Sequence, residues 1–314
     1  MPCIPIRMNQ NPLLQLTTLP FDGQILLMIL EALYALGVKS DRLMMYPAEW
    51  DVPEDDGSAA NFEERLLAQA RDRYGTKLVP IEVQRLSQGD TTWAESFTKL
   101  LAFNQTQYKR VISLDSDATV RQSMDELFLL PSSPVAMPRA YWLDQPFLSS
   151  QLIVIEPSAR EWTKIERFMH SQKDPGFDMD ILNTLYKDSC TVIPHRKYNL
   201  ITGEFRGNKH EKYLGTSAQW NGTTMLEEAK FIHFSDWPRP KPWIKASDQQ
   251  VQEIQPKCKD KEGGQDCSDQ QAWLGIYQDF ADSRERVCGQ RYDSPTKRQI
   301  LRERRVLPSN HKLR

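Results

Sequence analysis

Alternating apolar runs and amphipathic segments organise the first half of the chain. Short apolar runs that end in turn residues predict strands, and apolar positions at helical spacing predict helices. The predicted elements are, in order, a helix at 21–37, a strand at 42–46, a helix at 61–74, a strand at 78–83, a helix at 94–103 and a strand from 110. This alternation indicates an α/β fold with a mixed, mostly parallel sheet and helices on both faces.

The alternation becomes less regular in the second half. Strands are predicted at 135–138, 151–156, 191–193 and 229–234, and helices at 157–170 and 178–186. Between the last two strands, segment 195–222 has no clear period. A long loop in a compact domain usually carries function, although a structureless insertion is the alternative.

Both ends of the chain differ from this pattern. Residues 1–20 contain four prolines and no sustained period, so they predict an irregular leader that resembles neither a signal peptide nor an anchor. Residues 21–246 are then one domain. Beyond it, 247–314 is a polar tail with one amphipathic helix at 268–288 and a basic, flexible end from 291.

Composition narrows the class of protein. The 314 residues are 39% hydrophobic, which is enough for a core of ordinary size, and 40 basic against 42 acidic side chains give no sign of a nucleic-acid partner. The apolar helix at 21–37 is too short to span a bilayer. Among the five cysteines, Cys258 and Cys267 could close a small loop, and the absence of a C-x-x-C motif argues against a zinc site.

The candidate chemistry lies where the strand Val111–Leu114 ends. Asp115 and Asp117 follow it directly. Two carboxylates at the carboxyl end of a strand can hold one hard divalent cation and leave positions free for a phosphate. A second D-x-D occurs at 178–180 but follows no apolar strand. The alternative interpretation of Asp115 and Asp117 is a solvated acidic turn.

Four separated motifs carry a family resemblance: F-T-K-L at 97–100, V-I-S-L-D-S-D at 111–117, D-x-x-I-L-N at 178–183 and H-F-S-D-W-P-R-P-K-P-W at 233–243. In this order and spacing they resemble the glycogenin-like retaining glycosyltransferases, family eight. The fungal α-N-acetylglucosaminyltransferase-like branch is the most similar part of that family. The resemblance runs from about residue 21 to residue 243 and implies the GT-A nucleotide-diphospho-sugar transferase fold.

The resemblance assigns a metal site. Asp115, Asp117 and His233 match the protein ligands of a divalent cation, Mn²⁺ in the family, with Asp117 bridging the cation to the diphosphate of a sugar nucleotide. A cation there neutralises the charge that develops on the leaving diphosphate. By itself, His233 would be interpreted as a core histidine at a strand end.

The resemblance also assigns donor contacts. Lys241 matches a lysine on the diphosphate, and Lys99 matches a lysine near the nucleotide; without the motifs, both would be ordinary surface charges. Asp178 matches the catalytic-site aspartate that binds donor-sugar hydroxyls near the anomeric carbon, and its alternative role is a helix N-cap. Ser149 and Ser150 occupy the place where the family often has an Asn-Ser-Gly turn facing the donor.

The implied reaction is metal-dependent transfer of a sugar from a UDP-sugar to a glycan or glycoprotein acceptor with retention of configuration. N-acetylglucosamine is favoured by the branch, while glucose and galactose stay open. The family implies a Golgi or secretory location; because the chain shows no recognisable signal or anchor, a cytoplasmic location also stays open.

One departure from the family concerns the start of the chain. Relatives carry a strand just before the helix at 21, and residues 1–20 do not match it, so the sequence leaves open whether that strand is missing. Its loss would favour a non-catalytic nucleotide- or carbohydrate-binding relative. A further alternative is a haloacid-dehalogenase-type phosphatase, in which Asp115 would be the nucleophile.

Overall fold

A computed structural model describes residues 13–17, 23–83, 96–172, 176–216, 218–261 and 264–293. The strands within these residues are β1 Leu13–Thr17, β2 Asp41–Pro47, β3 Lys77–Ile81, β4 Val111–Leu114, β5 Ala118–Val120, β6 Val135–Pro138, β7 Leu152–Ile155, β8 Thr191–Ile193, β9 Leu200–Ile201, β10 Phe231–His233, β11 Lys259–Lys261 and β12 Gly264–Asp266. The α-helices are α1 Gly23–Ala35, α2 Phe62–Tyr74, α3 Ala159–Ser171, α4 Asp178–Tyr186, α5 His195–Tyr198, α6 Glu211–Leu214, α7 Gly222–Glu228, α8 Asp248–Ile254 and α9 Ser268–Cys288.

The larger sheet has the strand order β3-β2-β1-β4-β7-β6-β8 within the described residues. Strands β1 to β4 are parallel, β7 runs antiparallel to both of its neighbours, and β8 is parallel to β6. The predicted mixed, mostly parallel sheet is therefore confirmed. The predicted helix at 94–103 is instead a 3-10 helix, Ser96–Asn104.

The start of the chain corrects one expectation. Leu13–Thr17 is not irregular but forms β1, which pairs in parallel with β2 on one side and β4 on the other. A short L-L-Q-L-T segment has too little pattern to be identified alone, and its strand conformation depends on two partners that are distant in sequence. The strand whose absence the sequence left open is present.

Apolar side chains cover both faces of the larger sheet. On β4, Ile112 and Leu114 join the core cluster that contains α1 and α2, whereas Val111 joins the cluster formed with the 3-10 helix Ser96–Asn104, α3 and α4. This alternation follows from the two-residue period of a strand. It leaves the turn after Leu114 at the edge of the sheet, where both faces end.

A smaller sheet, β5-β10-β9, lies beyond that turn. Strand β10 is antiparallel to β5, with His233 opposite Ala118, and parallel to β9, with His233 opposite Ile201. The segment predicted as a long loop, 195–222, contains β9, the helices α5 and α6, and a 3-10 helix at Thr202–Arg206, so the alternative of a structureless insertion is wrong.

The C-terminal part packs back onto the domain. Helix α9 lies against α1 and α7, and its Trp273 and Phe280 belong to the same core cluster as Leu27. Cys258 and Cys267 form a disulfide that closes the β11–β12 hairpin, as the sequence allowed. The division at residue 246 stays a prediction, and most of the predicted basic end, from 294 to 314, lies outside the described residues.

None of the helices that the structure describes combines the length and apolar character needed to cross a bilayer.

Candidate active site

The D-x-D turn connects the two sheets. Asp115 and Asp117 lie between β4 of the larger sheet and β5 of the smaller one. The backbone fixes both residues: the Asp115 amide donates to the Gln151 carbonyl at 2.9 Å, and the Asp117 carbonyl accepts from the Phe234 amide at 3.0 Å. The turn is thus held from both sides, by the chain before β7 and by the chain after β10.

The three predicted metal ligands meet at this turn. His233 Nε2 lies 2.9 Å from Asp117 Oδ1 and 3.8 Å from Asp115 Oδ2. One ligand atom from each residue falls within 4.8 Å of the other two. Two carboxylates and one imidazole form a donor set that suits a borderline divalent cation such as Mn²⁺. The residues therefore fit the cation that the resemblance implies.

Lys99 joins the first aspartate of the turn to Asp178. Its Nζ lies 2.7 Å from Asp115 Oδ1 and 2.5 Å from Asp178 Oδ2, and it also donates to the Ser150 carbonyl at 3.0 Å. The Lys99 side chain is 8% exposed. The interpretation of Lys99 as an ordinary helix-surface charge is therefore wrong, because a buried ammonium is stable here only with these partners.

Asp178 is the first residue of α4, and Phe177 occupies the N-cap position. The capping contact comes from Asp180, whose Oδ2 accepts from the Phe177 amide at 3.0 Å. Gly176 has a φ of +73°, and a Cβ there would meet the Asp180 side chain at 2.8 Å, so only glycine fits. The N-cap interpretation of Asp178 is wrong: its carboxylate faces Lys99.

Lys241 contacts the second aspartate of the turn. Its Nζ lies 2.5 Å from Asp117 Oδ2 and 2.9 Å from the Phe234 carbonyl. The Lys241 side chain is 34% exposed, whereas that of Lys99 is almost completely buried. Lys241 can therefore contact a ligand that approaches from solvent while it remains next to Asp117.

The charges of the site influence one another. Burial would lower the pKa of Lys99, but the carboxylates of Asp115 and Asp178 outweigh it and raise that pKa. Burial would raise the pKa of Asp117, but His233 and Lys241 hold it far below its usual value. Burial raises the pKa of Asp115, and the neighbouring Asp117 carboxylate adds to this effect. The charges of Asp115 and Asp117 therefore disfavour each other, and a cation bound between them would relieve that repulsion.

Ser149 and Ser150 lie between the site and α4. Asn183 of the D-x-x-I-L-N motif exchanges two 2.8 Å hydrogen bonds with the backbone of Leu148 and so fixes the start of this segment. Ser150 Oγ lies 3.3 Å from Lys99 Nζ. The fully buried Ser149 hydroxyl donates to Asn199 Oδ1 at 3.5 Å. Contact of either serine with a donor sugar stays a prediction.

Two residues of the site were not identified from the sequence. Gln151 Nε2 lies 3.1 Å from His233 Nδ1, and its signal was a polar residue at the start of an otherwise apolar strand. Asp236, inside the last motif, is buried and accepts from Trp273 Nε1 at 3.0 Å and from Tyr277 OH at 2.8 Å. Helix α9 thus anchors the segment between His233 and Lys241.

Comparison with known proteins identifies relatives among fungi. The chain is 51% identical over 268 residues to glucose N-acetyltransferase 1 of Gibberella zeae, covering 83% of this chain and 58% of that protein. It is 44% identical over 280 residues to glucose N-acetyltransferase 1 of Aspergillus fumigatus, covering 83% of this chain and 72% of that protein. The chain thus spans little more than half of the first relative. No protein-family model matches the chain.

Solved structures identify the fold. The apo form of the glycosyltransferase GlyE from Streptococcus pneumoniae superposes with a TM-score of 0.55 at 16% identity, covering 92% of this chain and 66% of that chain. The bifunctional glycosyltransferase WbbM superposes with a TM-score of 0.53 at 14% identity, covering 96% and 53%. This likeness confirms the GT-A fold and removes the haloacid-dehalogenase alternative. The chain belongs to the glucose N-acetyltransferase 1 family of fungi, within the glycogenin-like glycosyltransferases.

Proposed function

We propose that the chain is a metal-dependent glycosyltransferase that moves a sugar from a UDP-sugar to a glycan acceptor with retention of configuration. The observation that carries the proposal is the convergence of Asp115, Asp117 and His233 at one point, with Lys241 beside them. A Mn²⁺ ion held by these ligands would supply positive charge to the leaving diphosphate.

The protein side chains divide the remaining work. Lys241, partly exposed and 2.5 Å from Asp117, would bind a diphosphate oxygen and stabilise it further as its negative charge grows. Asp178, held by Lys99 2.5 Å away, would accept hydrogen bonds from donor-sugar hydroxyls. Because Lys99 also binds Asp115, the sugar and metal parts of the site would keep a fixed distance from each other.

The sugar and the compartment follow from separate observations. The fungal relatives carry the name glucose N-acetyltransferase, which names glucose and an N-acetyl group, and we favour N-acetylglucosamine because that sugar contains both. The disulfide between Cys258 and Cys267 supports an oxidising compartment such as the Golgi lumen, because disulfides rarely persist in a reducing cytosol. The reason for favouring a non-catalytic relative, a missing first strand, no longer applies.

Calorimetry tests the nucleotide site. UDP is titrated into the chain with and without Mn²⁺, and into an Asp117→Ala variant. We expect metal-dependent binding that the variant loses. A folded chain that binds no UDP in the presence of Mn²⁺ would contradict the proposal.

Turnover then tests the sugar and the acceptor. UDP-N-acetylglucosamine, UDP-glucose and UDP-galactose are compared as donors with glycan acceptors, and the anomeric configuration of the product is read by NMR. We expect the first donor to be used best, with retention. Binding of UDP without turnover of any donor would instead favour a binding relative.

A further inference from the structure

Gln151 contacts two of the three metal ligands at once. Its backbone carbonyl accepts from the Asp115 amide at 2.9 Å, and its side-chain Nε2 lies 3.1 Å from His233 Nδ1. No motif includes this residue, and none of the site assignments from the sequence uses it. It lies directly before β7, where it faces the turn that carries both aspartates.

His233 lies between two polar side chains. Its Nε2 lies 2.9 Å from Asp117 Oδ1, and its Nδ1 lies 3.1 Å from the side-chain amide of Gln151. A half turn about Cγ–Cδ exchanges the oxygen and the NH₂ group of that amide, so either can face Nδ1. The Gln151 Oε1 atom is buried and has no hydrogen-bond partner among the described residues. A buried acceptor without a donor is costly.

Metal binding requires a free lone pair on one ring nitrogen. A cation ligated by His233 Nε2 needs the lone pair of that nitrogen, so the ring proton must lie on Nδ1. The Nδ1–H then needs an acceptor, and the Gln151 amide, 3.1 Å away, supplies one when its Oε1 faces the ring.

We propose that Gln151 is a positioning residue for the metal site, whose amide oxygen holds the ring of His233. In the metal-bound form Gln151 Oε1 accepts from His233 Nδ1–H, which fixes the ring with Nε2 toward the cation. This orientation also gives the buried Gln151 oxygen a hydrogen-bond partner. The inference rests on the proposed metal site.

Mn²⁺ affinity, measured by calorimetry in the absence of nucleotide, tests the inference. Gln151→Leu keeps the size but offers no acceptor, so we expect affinity about 10–100-fold weaker, the usual loss for such partners of a ligand. Gln151→Glu keeps an acceptor oxygen, and we expect affinity at least equal to that of the unaltered chain. Gln122→Leu, which removes a hydrogen bond to the Glu227 carbonyl outside the site, is the control.

The outcomes separate the two proposals. If the unaltered chain binds no Mn²⁺, the metal site itself fails and this inference fails with it. If the unaltered chain binds Mn²⁺ and Gln151→Leu binds it equally well, only the role of Gln151 is wrong. Equal unfolding midpoints, measured in the presence of a chelator, show that the variants are folded. If Gln151→Leu does not fold, Gln151→Glu tests the inference instead. Loss of Mn²⁺ affinity in the folded Gln151→Glu variant would contradict it.

A spectroscopic measurement detects the tautomer directly. Zinc, a diamagnetic probe, is added to a chain with ¹⁵N-labelled histidine, and ring-nitrogen shifts are recorded. We expect His233 to carry its ring proton on Nδ1 when zinc is bound. A ring that keeps its proton on Nε2 when zinc is saturating would overturn the inference.

Discussion

Asp115 and Asp117 are two residues apart but belong to different parts of the molecule. Asp115 pairs with buried Lys99 and, through it, with Asp178 at the start of α4. Asp117 pairs with His233 and Lys241, which come from the C-terminal part of the chain. The lysine that pairs with Asp115 is buried, whereas the lysine that pairs with Asp117 is one-third exposed. We call Lys99 with its partners the buried half and Lys241 with its partners the open half.

This difference shows how one turn can both hold a fixed geometry and bind a ligand. The buried half can hold a fixed geometry, because its charges are satisfied within the protein. The open half can exchange its internal partners for a ligand, because Lys241 is one-third exposed. We expect changes in the buried half to affect stability and changes in the open half to affect binding.

The largest expected effect comes from replacing each of the two aspartates with asparagine, one at a time. Asp117→Asn removes a proposed metal ligand that also pairs with Lys241, so we expect kcat/KM to fall by about 100-fold or more. Asp115→Asn keeps an amide oxygen toward Lys99, so we expect it to lower kcat/KM by less than Asp117→Asn does. Steady-state kinetics with Mn²⁺ and UDP-N-acetylglucosamine measure both. Equal losses would show that the two halves do not differ.

Lys99→Met tests the buried half. It leaves Asp115 and Asp178 without their shared cation, so the free energy of unfolding should fall by about 3–5 kcal/mol. Lys77→Met, which removes an ion pair between Asp41 and a lysine whose side chain is 56% exposed, is the control and should cost less than about 1 kcal/mol. Urea denaturation measures both variants. A loss of activity at unchanged stability would place Lys99 in the open half.

Lys241→Met tests the open half. The change removes a charged hydrogen-bond donor from a partly exposed position, so UDP affinity with Mn²⁺ should fall by about 10–100-fold, equivalent to the 1.5–3 kcal/mol typical of such a bond. Stability should stay nearly constant. Lys245→Met, at an exposed position of the same segment, is the control and should bind UDP normally. Unchanged UDP affinity in Lys241→Met would contradict the diphosphate role.

The smallest expected effect concerns the support of the open half. Asp236→Asn weakens the hydrogen bonds from Trp273 and Tyr277 and should lower stability by about 1–2 kcal/mol. Asp279→Asn, at a side chain that is 72% exposed, is the control. Thermal unfolding and UDP affinity are measured together. A stability loss without any change in UDP affinity would show that this support does not reach the site.

Local pattern predicted much of the fold. The bounds of β6, α4, β8 and α9 agree with the sequence because turn residues or caps mark both ends of each pattern. Strand β1 was missed because its identity depends on pairing with β2 and β4. The 3-10 geometry of Ser96–Asn104 was missed because apolar spacing does not distinguish it from an α-helix over so few turns.

Local sequence pattern predicted less of the site than of the fold. The family resemblance predicted that Asp117 and His233 lie together. Local pattern could not predict this contact, because the pairing of β5 with β10 has no local signal. The contact between Gln151 and His233 joins residues 82 positions apart and lies outside every motif. Contacts between distant segments depend on how the sheets pack, and spacing along the chain does not contain that information.

Helix α9 gives a segment that contains no proposed site residue an unexpected importance. Trp273 and Tyr277 hold Asp236, and Arg284 binds both Asp293 and Gln24, at opposite ends of the described chain. A premature stop codon before residue 268 would leave every residue of the proposed site encoded. The product would nevertheless lack Trp273 and Tyr277, which hold Asp236 between His233 and Lys241. A genetic survey that inspects only the D-x-D turn would therefore wrongly classify such an allele as intact.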